Sequence, residues 1–311
     1  MKYRQTAVRR GADRNRKRSL RLRAIVIRPS LFLTLLVVAA SAAAGGEQGL
    51  LFRIQSQGSA QVGSWLFATI HSDDPRVTGL PRPVADAFDE AATLVLEVVP
   101  DAKMAEASRA AMILDADRRL SDLLPAPLYR QTRAVLGTRG LPPEAVERLE
   151  PWAALLMLSM PPSRGAPVLD LVLYQKALAS GKPVQGIESV DEQLAVFRGL
   201  SLDDQVALLS ATLAEREQLP RIFDALVDAY LERDLGELMR LGRTLVSDDP
   251  DVDARLRAAL IDDRNRRMFE RLLPLVREGD RFVAVGALHL PGPGGLLQRF
   301  GAEGFELARV Y

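Results

Sequence analysis

The sequence predicts a mixed α/β fold, in which a central mixed sheet is built from two pseudo-repeated halves and flanked by helices. Short apolar segments with strand character lie towards both ends of the chain, and the residues between them show the periodicity of amphipathic helices. The two halves are indicated by an internal echo, because WLFATIH at residues 65–71 resembles VAVGALH at residues 283–289. Each half therefore contributes one apolar strand that ends at a histidine, and the helical segment between them is an insertion.

The first 44 residues have the organisation of a secretory signal. Residues 1–28 are a basic region, and residues 31–44 are an apolar region that ends in small residues. Because this apolar region is shorter than the ~20 residues of a spanning helix, we expect cleavage near residues 42–44 and no stable membrane span afterwards. No cysteine follows it, so the protein is not expected to be a lipoprotein. The sequence predicts an exported protein, periplasmic or secreted, with a single domain over residues 45–311.

Charge and composition exclude several classes of protein. Residues 1–44 hold 11 of the 41 Lys and Arg residues and one acidic residue, so residues 45–311 carry a net charge of −9. Such a domain lacks the basic surface that binds phosphates, and no nucleic-acid partner is expected. The absence of cysteine excludes disulfides, Cys-ligated zinc, iron–sulfur clusters and thiol nucleophiles.

The first predicted elements form the beginning of a βαβ unit. Residues 50–54 and 64–70 are apolar runs separated by a polar, Gly-containing stretch, which indicates a β-hairpin. Apolar residues at helical spacing between 84 and 92 predict a helix, and TLVLEVV at residues 93–99 predicts a strand interrupted only by Glu97.

The middle of the chain is predicted to be helical. Residues 101–180 are amphipathic pieces separated by prolines, and helical periodicity returns from residue 191 to about residue 277. The segment at 152–160 is apolar nearly all round, which favours core burial over membrane contact. Three further strands are predicted, at residues 182–187, 281–288 and 305–310.

Four polar residues mark the candidate site. His71 and His289 follow the two echoing strands, and α/β sheets bind ligands beyond the carboxyl ends of their strands, so both imidazoles are expected at one cleft. Glu97 interrupts a third apolar strand and Glu188 ends a fourth. A carboxylate in an apolar strand is costly to bury unless it is paired with an arginine or bound to a cation. Glu188 also has the position of a helix cap.

Two chemical interpretations of these residues stay open. Two imidazoles and a carboxylate are a ligand set for a divalent ion, which would activate water while a second carboxylate moves the proton. Alternatively, one histidine acts as a general base without metal, positioned by a glutamate, and Arg264 stabilises the oxyanion. The arginine run at 264–267 is otherwise typical of a solvated helix face.

Five segments of the chain form an ordered set of motifs: ATIH at 68–71, LVLE at 94–97, GKPVQGIES at 181–189, RNRRM at 264–268 and VGALHLPGPGGLL at 285–297. This set resembles the TraB/GumN family, whose wider relatives include the Tiki metalloproteases and, more distantly, erythromycin esterase and ChaN-like proteins. In the first motif, a GxxH-type sequence, Ala68 stands where the family pattern has glycine.

The resemblance implies a mixed α/β fold with a pseudo-repeated core and, by similarity to the Tiki proteins, divalent-metal-dependent proteolysis. His71 and His289 match the two GxxH histidines and Glu97 matches the glutamate of the adjacent strand, which implies a metal or catalytic centre at these three residues. Arg264 and Glu188 match recurrent positions, and we assign them to transition-state or substrate contacts.

We therefore expect an exported hydrolase, a divalent-metal-dependent peptidase that acts on a peptide or small-molecule substrate. One alternative is a periplasmic protein that binds a metal, haem or another small ligand without turnover. Another is a metal-independent hydrolase of esterase type, in which His71 is the base. The identity of the ion (manganese, cobalt or zinc), the substrate and the oligomeric state stay open at this point.

Overall fold

A computed structural model describes residues 48–56, 58, 62–161, 163–243 and 250–311. The predicted signal peptide, residues 1–44, lies outside the described residues. Within them, six strands form one mixed sheet in the order β4-β3-β5-β2-β1-β6, which confirms the predicted fold class. The strands are β1 (Leu51–Ser56), β2 (Ser64–Thr69), β3 (Thr93–Leu96), β4 (Val184–Gly186), β5 (Arg281–Gly286) and β6 (Phe305–Arg309).

Helices occupy the middle of the chain and connect the strands of the sheet. A π-helical turn (Ala258–Asp262) leads into the last long helix, and a short 3₁₀ turn (Ala287–His289) follows β5. The α-helices are α1 (Pro75–Thr78), α2 (Arg82–Glu90), α3 (Ala102–Ala111), α4 (Leu120–Leu123), α5 (Ala126–Thr138), α6 (Pro143–Glu147), α7 (Pro151–Ser159), α8 (Leu169–Ala179), α9 (Val190–Arg198), α10 (Leu202–Ala214), α11 (Leu219–Leu231), α12 (Leu235–Arg243), α13 (Pro250–Arg257), α14 (Asp263–Glu278) and α15 (Leu296–Ala302).

The strand pairing brings four carboxyl ends to one edge of the sheet. β1 and β2 pair antiparallel, as the hairpin pattern predicts, and β6 pairs antiparallel with β1. Strands β4, β3, β5 and β2 run parallel to one another. β3 is shorter than the predicted strand at 93–99: it ends at Leu96, and the Glu97 carbonyl accepts the N–H groups of Ile187 and Glu188 at 3.1 and 2.7 Å.

Two hydrophobic cores are present among the described residues. Around the sheet, Phe282 of β5 packs against Phe67 of β2 and Phe88 of α2, with ring centroids 5.7 and 5.4 Å apart. Helix α8 also packs in this core. The second core lies among α4, α5, α6, α7, α9, α10 and α13, with Trp152 as its largest buried side chain. The burial of α7 confirms that its apolar sequence serves a core, and no described helix is long and apolar enough to span a bilayer.

Helix α9 begins with a capping box that holds the chain immediately after Glu188. The Ser189 side chain accepts the Glu192 N–H, and the Glu192 carboxylate accepts the Ser189 N–H at 2.8 Å. Arg271 of α14 donates to both oxygens of the same carboxylate, at 2.9 and 2.6 Å, and to the Ile187 carbonyl. The hydrogen bonds from Arg271 lower the pKa of Glu192 to about 2.

This capping box predicts an acid-sensitive contribution to stability. The pKa of Glu192 lies below its ordinary value of 4.5, so its contribution is complete above about pH 4.5 and is lost as the pH falls towards 2. We expect Glu192→Gln to lower the free energy of unfolding at pH 6, with a difference from wild type that shrinks between pH 5 and pH 2. Urea unfolding at several pH values measures it. Glu306→Gln, at an exposed position on β6, is the control, and a constant difference for Glu192→Gln would contradict the prediction.

Candidate active site

The four predicted site residues from the strands lie at one edge of the sheet. Glu97 and Glu188 follow β3 and β4, and the register of β2 with β5 pairs Thr69 with Gly286 just before the two histidines. His289 is buried, with 4% of its surface exposed, whereas 64% of the His71 side chain is exposed. The two strands that end at histidine are therefore neighbours, but their imidazoles lie in different surroundings.

Arg264 joins the two glutamates. Its Nη2 donates to Glu97 Oε2 at 2.5 Å and to Glu188 Oε2 at 2.6 Å, while its Nε donates to both oxygens of Glu188 at 3.1 Å. Gln193 of α9 donates to the same two carboxylates, at 3.0 and 3.2 Å. The interpretation of the arginine run as a solvated face is wrong at Arg264, which is 9% exposed, because the buried Glu188 and the partly buried Glu97 need a cation at this place.

Opposite charges in this cluster stabilise the ionised forms of Arg264 and Glu97. Burial by itself lowers the pKa of Arg264, but its hydrogen bonds with Glu188 and the charges of both glutamates raise that pKa above its ordinary value. Burial raises the pKa of Glu97, but His289 in its protonated form, the Arg264 guanidinium and the Gly286 N–H outweigh this effect and hold that pKa below its ordinary value. Glu97 is therefore an ionised carboxylate at neutral pH, and Arg264 pairs with both glutamates while Arg267 lies 4.0 Å from Glu188 Oε1.

His289 faces Glu97 with an unprotonated nitrogen. Its Nδ1 lies 2.7 Å from Asn265 Oδ1, and the Asn265 amide donates its Nδ2–H to the Gly294 carbonyl at 3.2 Å. This arrangement of the amide assigns the ring proton to Nδ1, so Nε2 carries the lone pair. Burial lowers the pKa of His289, which keeps the ring neutral at pH 7. Two lone-pair atoms, His289 Nε2 and Glu97 Oε1, thus face each other at 3.8 Å.

Gly286 leaves the space in which Glu97 approaches the backbone. Its N–H donates to Glu97 Oε1 at 2.6 Å, and a Cβ atom at this position would lie 3.1 Å from that oxygen and 3.5 Å from His289 Cδ2. The corresponding residue of the first motif is Ala68, which is fully buried in β2 and whose carbonyl accepts the Tyr230 hydroxyl at 2.9 Å. The close approach of Glu97 therefore favours glycine at position 286, and among the described residues no such approach constrains position 68.

His71 is close to Asp170 of α8, a residue that the sequence analysis missed. The Nδ1 atom of His71 lies 4.0 Å from Asp170 Oδ2, and the Thr69 hydroxyl donates to Asp170 Oδ1 at 3.0 Å. Burial and the nearby charge of Glu97 raise the pKa of Asp170. A signal was available in the sequence, because Asp170 lies in the otherwise apolar segment LDLVL. Asn265, the partner of His289, was also missed, and its only signal is its place beside Arg264.

The donor chemistry of the site fits a cation only in part. The facing pair of His289 Nε2 and Glu97 Oε1 supplies a nitrogen and a carboxylate oxygen, as zinc and related ions require. In the part of the chain that the structure describes, no group of three or more His, Asp or Glu side chains surrounds a common metal position. The set of His71, His289 and Glu97 as metal ligands stays a prediction.

Comparison with known proteins gives the class to which this fold and site belong. The model of the TraB/PrgY/gumN family matches residues 50–309, and the chain belongs to this family. The resemblance seen in the motifs is thereby confirmed.

Among individual proteins, the chain is similar to curated metalloproteases. It is 27% identical to "Metalloprotease TIKI1" of Danio rerio, with 78% of this chain and 60% of the relative covered. The identity is 28% with "Metalloprotease TIKI2" of Danio rerio and 27% with "Metalloprotease TIKI1" of Homo sapiens, over 78% of this chain and 58% and 59% of those relatives. The chain thus spans about three fifths of the length of these relatives. No solved structure matches it.

Replacing Arg264, which pairs with both Glu97 and Glu188, should destabilise the protein strongly. Arg264→Met removes the arginine that pairs with the buried Glu188 and the partly buried Glu97, so we expect the free energy of unfolding to fall by about 3–5 kcal/mol. Adding Glu188→Gln to this variant should restore part of the loss. The control is Arg266→Met in the same helix, where an exposed pair with Asp263 should contribute about 1 kcal/mol or less. Chemical unfolding measures all three, and equal effects of the two arginine variants would overturn this account of the cluster.

The steric role of Gly286 gives a second prediction. Gly286→Ala retains an accessible backbone conformation, with φ −53° and ψ 136°, but its methyl group crowds Glu97, which Arg264 holds from the other side. We expect a loss of about 1–3 kcal/mol in unfolding free energy. Gly137→Ala in α5 is the matched control: the new methyl group meets no described atom within 4 Å beyond its chain neighbours and the adjacent backbone of its own helix, and it should stabilise the protein by about 0.5–1 kcal/mol. A stabilising Gly286→Ala would contradict the steric argument.

Proposed function

We propose that this protein is an exported hydrolase that cleaves peptide bonds with the help of a divalent metal ion. The observation that carries the proposal is the pair of lone-pair atoms, His289 Nε2 and Glu97 Oε1, which face each other at 3.8 Å beside a buried arginine. Membership of the TraB/PrgY/gumN family and similarity to curated metalloproteases support it.

His289, Glu97 and His71 are the residues that would hold the ion. His289 is already neutral and oriented by Asn265, which is the state that a ligating imidazole needs. His71 follows the neighbouring parallel strand and has an exposed side chain. A divalent ion such as manganese, cobalt or zinc, when bound, lowers the pKa of water and polarises a carbonyl.

The other site residues act on this centre in two ways. Glu97 is ionised and 20% exposed, so its Oε1 is the carboxylate atom that can hold the ion or receive a proton. The Glu188 side chain is fully buried, and we therefore assign it to holding Arg264 and Gln193 in place instead of to substrate contact. In Arg264 the Nη1 atom makes only a long contact, 3.4 Å, to the Leu260 carbonyl, and it is the donor left for a developing oxyanion.

Metal-independent hydrolysis is the second candidate function. The observation in its favour is the Asp170 carboxylate beside His71, because a carboxylate near Nδ1 supports an imidazole that acts as a general base. In this version His71 takes the proton of the attacking water, and His289 and Glu97 contact the substrate. The two candidates differ in their response to a chelator.

The proposal predicts that both histidines are needed for hydrolysis and metal binding. We expect His71→Ala and His289→Ala each to lower kcat/KM on a quenched-fluorescent peptide library by about 10²–10⁴-fold. A chelator should abolish the activity, and Mn²⁺, Co²⁺ or Zn²⁺ should restore it. Elemental analysis and titration measure the metal content of the same proteins. Gln185→Ala, at an exposed polar position on β4, is the control and should behave as wild type.

Each contrary result identifies a different error. Intact metal binding and hydrolysis in His289→Ala would overturn the proposal. Chelator-resistant hydrolysis that requires His71 would establish the metal-independent candidate. Stoichiometric metal binding without hydrolysis of any peptide would indicate a periplasmic binding protein. Mass spectrometry of the exported protein tests the proposed signal, and cleavage near residues 42–44 is the expected result.

A further inference from the structure

The two strand-end histidines share an arrangement that their sequence motifs do not contain. In each case the Nδ1 atom faces a side-chain oxygen from a helix: Asn265 Oδ1 of α14 for His289, at 2.7 Å, and Asp170 Oδ2 of α8 for His71, at 4.0 Å. Because Asn265 fixes the His289 ring with its proton on Nδ1, an oxygen that faces Nδ1 of His71 at a longer distance indicates a corresponding partner. That partner is a carboxylate instead of an amide.

Asp170 is anchored to the strand that delivers His71. The Thr69 hydroxyl donates to Asp170 Oδ1 at 3.0 Å, and Thr69 is a buried residue at the end of β2, two positions before the histidine. One oxygen of the carboxylate is thus fixed relative to β2, and the other oxygen faces the ring. The His71 imidazole is exposed, and its Nδ1 has to approach Asp170 Oδ2 from 4.0 Å to form a hydrogen bond.

We propose that Asp170 is the positioning residue of His71: its carboxylate accepts the His71 Nδ1–H and leaves Nε2 as the atom with the lone pair. An imidazole in solution carries its proton mainly on Nε2, so this preference has to be imposed by the protein. The consequence for a hydrolase rests on the proposed function, because only there does the Nε2 lone pair bind an ion or receive a proton. The positioning itself does not depend on activity.

The chain offers an unusually direct test, since it contains only two histidines. Nitrogen-15 labelling of histidine gives two imidazole spin systems, and long-range ¹H–¹⁵N spectra at pH 8.5 report which nitrogen of each ring is protonated. In the wild-type full chain we expect both rings to carry the proton on Nδ1. In Asp170→Ala we expect His71 to shift its proton towards Nε2, while His289 keeps its spectrum and reports that the fold is intact.

Three further variants separate positioning from a general effect of charge or packing. Asp224→Ala removes an exposed carboxylate from α11 and should change neither ring. Thr69→Val removes the hydroxyl that anchors Asp170 and should move His71 in the same direction as Asp170→Ala, by a smaller amount. Thr69→Ser retains the hydroxyl and should resemble wild type. If hydrolysis or metal binding is found, Asp170→Ala should lower kcat or metal affinity by about 10–100-fold.

Two results would overturn the inference: a wild-type His71 with its proton mainly on Nε2, or an Asp170→Ala variant in which the His71 spectrum does not change. If Asp170→Ala also changes the His289 spectrum, the smaller substitutions at Thr69 replace it as the test. The inference then requires that Thr69→Val shifts the His71 proton towards Nε2 and that Thr69→Ser does not. The outcome is distinguishable from failure of the proposed function. If Asp170→Ala shifts the His71 tautomer but the wild-type protein has no hydrolytic activity, the positioning role is supported and the hydrolase is refuted. If the wild-type protein is active but Asp170→Ala leaves the tautomer unchanged, the hydrolase is supported and the positioning role is refuted.

Discussion

The arrangement of the site depends on the buried guanidinium of Arg264. It binds one carboxylate that follows β3 and another that follows β4, and it comes from α14, which packs beside these strand ends. A buried charge cluster is favourable only when most of its hydrogen bonds are satisfied, and here Gln193 and the Gly286 N–H complete the set. Because Arg264 occupies Glu97 Oε2, the other oxygen of Glu97 is the one directed towards His289.

The second feature of the site is the difference between its two histidines. One ring is buried, neutral and held by an amide, and the other is exposed and lies near a carboxylate. Neighbouring parallel strands carry both residues, so the internal echo of the sequence produces two similar positions at one edge of the sheet. The helices α8 and α14 then make these positions chemically different by supplying different partners.

Family membership and geometry contribute different parts of the functional argument. The family match covers nearly all of the described residues, and the individual relatives to which the chain is similar are named metalloproteases. At about 27% identity to these relatives, the roles of single residues follow from their contacts in this fold. Those contacts favour Glu97 and His289 as the centre, reassign Glu188 to support, and add Asp170 and Asn265 as partners of the histidines.

The sequence by itself determined the strands, the helical insertion and the placement of both histidines at strand ends, because hydrophobic periodicity and local turn signals are properties of neighbouring residues. It also showed that a carboxylate at Glu97 would need a partner, since an unpaired buried charge is too costly. Only the tertiary structure decided which partner: Arg264 lies 167 positions further along the chain, and Asp170 lies 101 positions after Thr69. Contacts at such separations depend on how helices pack against the sheet, and no local pattern in the sequence records that packing.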